Sequence, residues 1–131
     1  IQAHRATVAA AEQTGIPRKL YYTAAGKEGI GRMAKRIIEL RPDKAEEWAF
    51  DPDDPPFGID ESLITTIVNV TPFLDRKRRS MAAHGSQSEN MEFLQLPDEI
   101  FDEFFGFEAF VRAFDRTGAM LPEDDLFAGI R

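Results

Sequence analysis

Few residues in this chain could handle protons or a metal. Histidine occurs only at His4 and His84, and cysteine is absent, which removes thiolate ligands, thiol nucleophiles and disulfides together. A hydrolytic zinc ordinarily takes about three protein ligands and keeps one position open for water. The two histidines are far apart in sequence, and no His-Glu-x-x-His segment is present. The acidic pairs Asp53-Asp54 and Asp124-Asp125 stand in turn-forming sequence with no neighbouring histidine and read as solvated turns. Ser80, Ser86 and Ser88 lie near His84, but a Ser-His-acid triad is defined by geometry rather than by nearness in sequence. No Gly-x-Ser-x-Gly elbow occurs. Gly26–Gly31 reads GKEGIG, without the Lys-Ser/Thr ending of a phosphate loop or the full dinucleotide fingerprint, and is expected to be a loop and helix start. The residues alone therefore show no self-sufficient active site.

The elements that must carry these residues can be read from pattern. An alanine-rich stretch, Ile1–Gln13, predicts a helix that stops at Gly15 with Pro17. Lys19–Thr23 (KLYYT) predicts a short strand. Lys27–Leu40 predicts a second helix, with Ile30, Met33, Ala34, Ile37 and Ile38 on one face, although two glycines near its start argue against it. Residues 41–61 form a proline-rich connector, long enough to be a lid or binding loop; Trp48 and Phe50 within it suggest that it packs down. Leu63–Val70 predicts a strand, with Thr71 as N-cap and Pro72 as first residue of a helix running to about His84 and closed by Gly85. A further helix is expected from Leu96-Pro97-Asp98-Glu99 to about Phe105, closed by Gly106. Phe107–Phe114 fits a helix at i, i+3, i+4 and i+7, while its β-rich composition also permits a strand. The tail from Asp115 is turn-rich. Helices interspersed with short strands predict an α/β or α+β class.

At 131 residues the chain suits one domain or part of one. A net charge of −7 argues against nucleic acid as a partner, since phosphate binding draws on clustered cations; the basic run Asp75-Arg76-Lys77-Arg78-Arg79 is expected to be a solvated helix face. No apolar run approaches the roughly 18 residues needed to cross a membrane. The opening does not start with Met and is already helical in character, so it reads as the interior of a longer chain. A cytoplasmic location is compatible with the absence of cysteine.

One combination of segments is more specific. Phe73-Leu74-Asp75-Arg76-Lys77-Arg78 leads into Met81-Ala82-Ala83-His84-Gly85-Ser86-Gln87, after the β-rich run Thr65–Val70. This resembles the C-terminal halves of the LmbE-like (PIG-L) deacetylases, which carry a strand and then an "Asp-x-Lys" helix ending in "Ala-His-x-Ser-Gln". Leu96-Pro97-Asp98-Glu99, the Phe-Gly-Phe-Glu run at 105–108 and Asp125-Leu126-Phe127-Ala128-Gly129 add to the likeness. At the front, Ile1-Gln2-Ala3-His4-Arg5-Ala6 is similar to the alanine-rich helix into which the family's "His-Pro-Asp-His" motif leads.

The resemblance implies that residues 1–131 are the C-terminal part of one deacetylase domain, an α/β fold in which they are a portion of a Rossmann-like sandwich. It implies removal of acetyl groups from N-acetylated amino sugars or related amide conjugates, with zinc as cofactor and a small N-acetylated molecule as substrate. In the family, zinc is held by a His and an Asp of a "His-Pro-Asp-Asp" motif and by the last His of "His-Pro-Asp-His". An Asp of the first motif acts as base. None of these positions occurs in this chain, so no catalytic or metal-binding residue is transferred to it. His84, with Gln87 and Ser86 behind it, is the candidate for lying beside the substrate; it could equally cap the helix end. His4 is the candidate for supporting the absent ligands, or is a surface histidine. A homo-oligomer, or pairing with a missing N-terminal segment, is a further expectation. The alternative is a non-catalytic binding or assembly module that keeps the C-terminal fold, for which a Phe-rich surface over 100–114 would be the sign.

Overall fold

The computed structural model describes residues 2–42, 50–84 and 93–131. Helix α1, Gln2–Thr14, is mostly exposed and buries Ala11. Its end follows from Gly15, which takes a φ of 66° and donates its N–H to the Ala11 carbonyl at 3.2 Å. That left-handed turn is open to glycine at little cost. Strand β1, Lys19–Ala24, extends the expected KLYYT segment by one residue.

Helix α2, Lys27–Leu40, has the predicted bounds and buries Ile30, Gly31, Ala34 and Ile37. Its two glycines, which argue against a helix in the sequence, have a tertiary explanation in one case. A Cβ on Gly31 would lie 2.1 Å from the Pro52 carbonyl oxygen, so the loop can press onto the helix only where no side chain stands. The N-terminus of α2 has no cap from its own Gly26. The Glu61 carboxylate supplies one from a distance, accepting from the Glu28 N–H at 2.7 Å and the Gly29 N–H at 3.2 Å. This satisfies donors that the helix leaves free and places negative charge at the positive end of its dipole.

The described part of the 41–61 connector folds back onto α2. Asp53 pairs with Lys35 and Asp54 with Lys27, so this acidic pair, although exposed as expected, fastens the loop to the helix. Pro55 is buried, and the Phe50 and Phe57 rings meet at 5.5 Å. Trp48 lies outside the described residues.

Strand β2 is shorter than its β-rich sequence suggests. Residues 61–63 form a 3-10 turn capped by the Asp60 carboxylate, and only Thr66–Asn69 is strand. Thr71 does not cap a helix. Residues Thr71–Phe73 make another 3-10 turn, and helix α3, Leu74–Ala83, starts afterwards without a side-chain cap. The Thr71 hydroxyl is turned instead toward the Gly106 carbonyl, at 3.4 Å. Helix α4, Asp98–Phe105, follows Pro97 as expected and buries Ile100 and Phe101. The Phe101 and Phe105 rings stack at 4.5 Å, and the Arg78 guanidinium of α3 sits 3.8 Å from the Phe101 ring centre. Lys77 donates to the Phe105 carbonyl at 2.9 Å and pairs with Glu108 at 3.1 Å. Two members of the basic run are thus committed to joining α3 to α4 and the sheet, rather than standing free in solvent.

Phe107–Asp115 is strand β3, which resolves the helix-or-strand ambiguity of that run. It is the central strand of a three-stranded sheet ordered β1-β3-β2, antiparallel to both neighbours. The class is mixed α and β as predicted, but this sheet is antiparallel throughout, not the parallel one a Rossmann-like layer would present.

The register sorts side chains by face. Tyr22, Ala24, Ala109, Val111, Ile67 and Phe107 share one face; Tyr21, Arg112, Phe110, Thr66 and Glu108 share the other. The outer edge of β2 is covered by the tail. Glu123 forms a parallel bridge with Thr66, its N–H donating to the Thr65 carbonyl and its carbonyl accepting from the Ile67 N–H, both at 3.0 Å.

Candidate functional site

His84 ends α3. Its Nδ1 lies 2.8 Å from the Ser80 carbonyl, so in the Nδ1–H tautomer the ring donates to a carbonyl that the helix would otherwise leave free. The imidazole is exposed, and this bond leaves Nε2 facing outward. Capping and a place beside a substrate are therefore compatible roles. Ser86 and Gln87, its expected companions, lie outside the described residues.

His4 is in the first turns of α1, and its ring centre lies 4.8 Å from that of Tyr22 on β1. Together with Thr7, Leu20, Tyr21 and Thr23 the pair lines a shallow cleft. Tyr22 and Thr23 also border a second, mainly apolar cleft of about 470 Å³, whose walls include Ala24, Ile59, Leu63 and Val111. The two clefts meet at β1. His84 is not among the lining residues of either, so the two histidines do not converge on one cleft.

The densest polar cluster is one that sequence reasoning misses. Glu123 is buried, and both its carboxylate oxygens are engaged. Lys19 and Arg112 bind Oε1, with Arg112 at 3.0 Å; the Tyr21 hydroxyl at 2.7 Å and the Thr66 hydroxyl at 3.2 Å donate to Oε2. Arg112 also donates to the Ala119 carbonyl at 2.8 Å and lies 3.6 Å from Asp115. Asp115 in turn accepts from the Thr117 hydroxyl at 2.6 Å and from the Thr117 and Ala119 N–H groups.

Two cations and two carboxylates thus balance in a largely dry space. Burial alone would push the Glu123 carboxyl up, but its bonds from Lys19 and Tyr21 and the charge of Arg112 outweigh that and hold it below its ordinary value. Tyr21 is pushed up, by burial first and then by donating to Glu123. Burial pulls Lys19 down, yet Glu123 and Tyr21 leave it raised on balance. Asp115 falls to about 2, chiefly through the Thr117 hydroxyl. A carboxylate with this many donors has no lone pair to offer a metal or a substrate proton. The cluster clamps the tail to the sheet and is not a general base. Its signal in the sequence is the i, i+2 spacing of Lys19 and Tyr21 on a strand, which places the two groups on one side; Glu123 itself is hidden beside an acidic pair that reads as a turn.

Among the described residues, no three His, Asp or Glu side chains converge in a way that could hold a metal ion. The described residues therefore do not furnish the zinc site that the resemblance implies. No described helix is long and apolar enough to cross a membrane.

No family profile and no solved structure matches the chain. Curated sequences do. Over 99% of its length the chain is 32% identical to a 1D-myo-inositol 2-acetamido-2-deoxy-alpha-D-glucopyranoside deacetylase of Acidothermus cellulolyticus, of which it covers 46%. Over the same share it is 31% identical to the Streptomyces avermitilis protein of that name, covering 48%, and 28% identical to one from Catenulispora acidiphila, covering 45%. The chain spans about half the length of the curated relatives it matches. Aligned along nearly all of its own residues, the chain is similar to a little under half of each of these deacetylases.

Proposed function

We propose that these 131 residues are the C-terminal part of an LmbE-like zinc-dependent deacetylase that hydrolyses the acetamide of an N-acetylated amino sugar. The observation that carries this reading is the 32% identity along 99% of the chain to a deacetylase of that substrate class. Amide hydrolysis adds water across the C–N bond, releasing acetate and a free amine. A bound zinc would polarise the carbonyl and acidify the attacking water, with ligands outside the present residues. On this reading His84, with Ser86 and Gln87 following it, lies beside the bound sugar. His4, whose ring lies against Tyr22, supports the metal ligands that lie outside these residues. The substrate is a small polar molecule, and the location cytoplasmic.

The test uses the full-length natural protein: intact mass, zinc per chain, and acetate release from an N-acetylglucosaminyl-inositol substrate. A mass near twice 14.8 kDa, about one zinc and acetate release are expected. A natural protein of 14.8 kDa without hydrolysis would overturn the reading. It would leave the second one, a non-catalytic assembly module, which the exposed Ile67 and Phe107 on one sheet face favour.

A further inference from the structure

Helix α3 is anchored through its first half. Its ten residues, LDRKRRSMAA, include four consecutive cations. Like charges at helical spacing repel, and a helix this short is marginal unless tertiary contacts fix it. Leu74 is its one buried residue. From Arg79 onward the helix is exposed apart from half-buried Met81, and His84 stands exposed at its end. The direction of that far end is therefore decided by Leu74, Lys77 and Arg78.

The two cations reach different bodies. Arg78 lies 3.8 Å from the Phe101 ring centre and meets Asp98 at 2.9 Å, both on α4. Lys77 donates to the Phe105 carbonyl at 2.9 Å and pairs with Glu108 on β3 at 3.1 Å. Phe105 is the last residue of α4, so its carbonyl finds no donor within that helix, and an ammonium there also meets the negative end of the α4 dipole. Arg78 alone leaves α3 free to swing about α4; the Lys77 strut to the sheet removes that freedom. His84 follows Lys77 by seven residues, two turns further along the same face and about 10 Å away. The ring itself is oriented by the Ser80 carbonyl, 2.8 Å from Nδ1. One bond aims the ring on the helix, and the Lys77 bonds aim the helix.

Resting on the reading that His84 lies beside the bound sugar, we infer that Lys77 is a positioning residue for the deacetylation: by bracing α3 against the end of α4 and against Glu108 of β3, it sets where the His84 imidazole meets the substrate. A tilt of about 6° at Lys77 carries the far end of α3 by about 1 Å, and a displacement of that size costs on the order of 100-fold in rate.

Acetate release by the full-length protein from an N-acetylglucosaminyl-inositol substrate tests this. Lys77→Met keeps the stem and removes the ammonium, and should lower kcat/KM by about 10- to 100-fold. Lys77→Arg, which keeps a cation for Glu108 and donors for the carbonyl, should restore most of it. His84→Ala should lower kcat/KM too, and in that background Lys77→Met should add less than about twofold. A purely structural brace would lower the thermal midpoint and act alike in both backgrounds. Lys77→Met at the natural kcat/KM, or with its full effect in the His84→Ala background, overturns the inference and leaves the deacetylase reading intact. Nitrogen NMR of the imidazole gives a readout apart from turnover. The Nδ1–H tautomer of His84 should persist in Lys77→Met, because the Ser80 bond is internal to the end of α3; its loss would mean that the variant melts the helix, which also overturns the inference. If Lys77→Met does not fold, Glu108→Gln takes its place: a smaller loss that vanishes in the His84→Ala background is expected, and a natural kcat/KM overturns the inference. His84→Ala at the natural kcat/KM refutes the placement of His84 beside the sugar and the inference with it. Full-length protein that releases no acetate refutes the deacetylase reading itself.

Discussion

Replacing Glu123 by Gln is the sharpest probe of what holds the tail to the sheet. The side chain keeps its shape and a carbonyl that Tyr21 can still donate to, but the negative charge between Lys19 and Arg112 disappears. The side chains of Lys19 and Arg112 are only 2% and 13% exposed. Arg112 retains the Ala119 carbonyl and Asp115, whereas Lys19 loses the carboxylate it is paired with. Breaking one side of a buried pair costs about 3–5 kcal/mol, and the help left to Arg112 argues for the lower end, about 3 kcal/mol. With a urea dependence of about 2 kcal/mol per molar, the unfolding midpoint should fall by roughly 1.5 M.

Urea titration by circular dichroism on the intact protein measures this. Lys19→Met combined with Glu123→Gln should recover a large part of the loss, because the stranded cation is gone. A midpoint shift below about 0.3 M, or a double variant worse than the sum of its parts, would refute the view that charge balance holds this cluster. The pH profile carries the sign. Glu123 is held below its ordinary 4.5 when folded, so the unfolded chain takes up its proton first. The contribution is full above about 4.5 and drains away as pH falls through the folded value. Lys19 and Tyr21 are held above 10.5 and 10.0, so their part is full below 10.0 and is lost as pH rises through their folded values. The Gln variant should lose part of the acid limb and keep the part due to Asp115, which is held down to about 2.

Three further outcomes are expected from the packing. Gly15→Ala forces a Cβ into a backbone of φ 66° and should cost about 1 kcal/mol, read as a lower thermal midpoint. Gly26→Ala would place a Cβ 2.2 Å from the Glu61 oxygen that caps α2. It should therefore destabilise the natural protein by about 1 kcal/mol and do little in a Glu61→Ala background; equal effects in the two backgrounds would show that the cap is not the reason. Phe101→Ala empties a site that is 0% exposed, stacked on Phe105 and covered by Arg78, and should cost about 3–5 kcal/mol by urea titration.

How much of the fold is legible in the sequence depends on the range of the interactions. Local signals read well: the Gly15 stop, the Lys27–Leu40 helix and the Pro97 start follow from propensity and caps within a few residues. Thr71 misleads because the sequence Thr-Pro is a good helix entry, while a tertiary partner, the Gly106 carbonyl, draws its hydroxyl away. Leu63–Val70 is shortened at its front end by the Asp60-capped turn. The connector's attachment to α2 is invisible for the same reason, since it depends on Pro52 meeting Gly31 across the fold. At the site, His4 and His84 stand out as the only histidines, and the structure supplies their immediate neighbourhoods. Glu123 does not stand out, because two of its partners, Lys19 and Tyr21, lie more than a hundred residues away and leave no mark on the sequence around it.

The strand order also sets a timetable for synthesis. The central strand is the last of the three to be made, so β1 emerges long before its partner at 107–115 and cannot pair with it until then. Nor can β2 join the sheet earlier, because it too pairs with β3. Contacts this far apart in sequence are slow to close, and an early strand with free edges is open to wrong partners while it waits. A nascent chain stopped short of Phe107 would have none of this sheet. The segment that carries Glu123, made after β3, then closes over Lys19 and Tyr21 and fixes β1 in place.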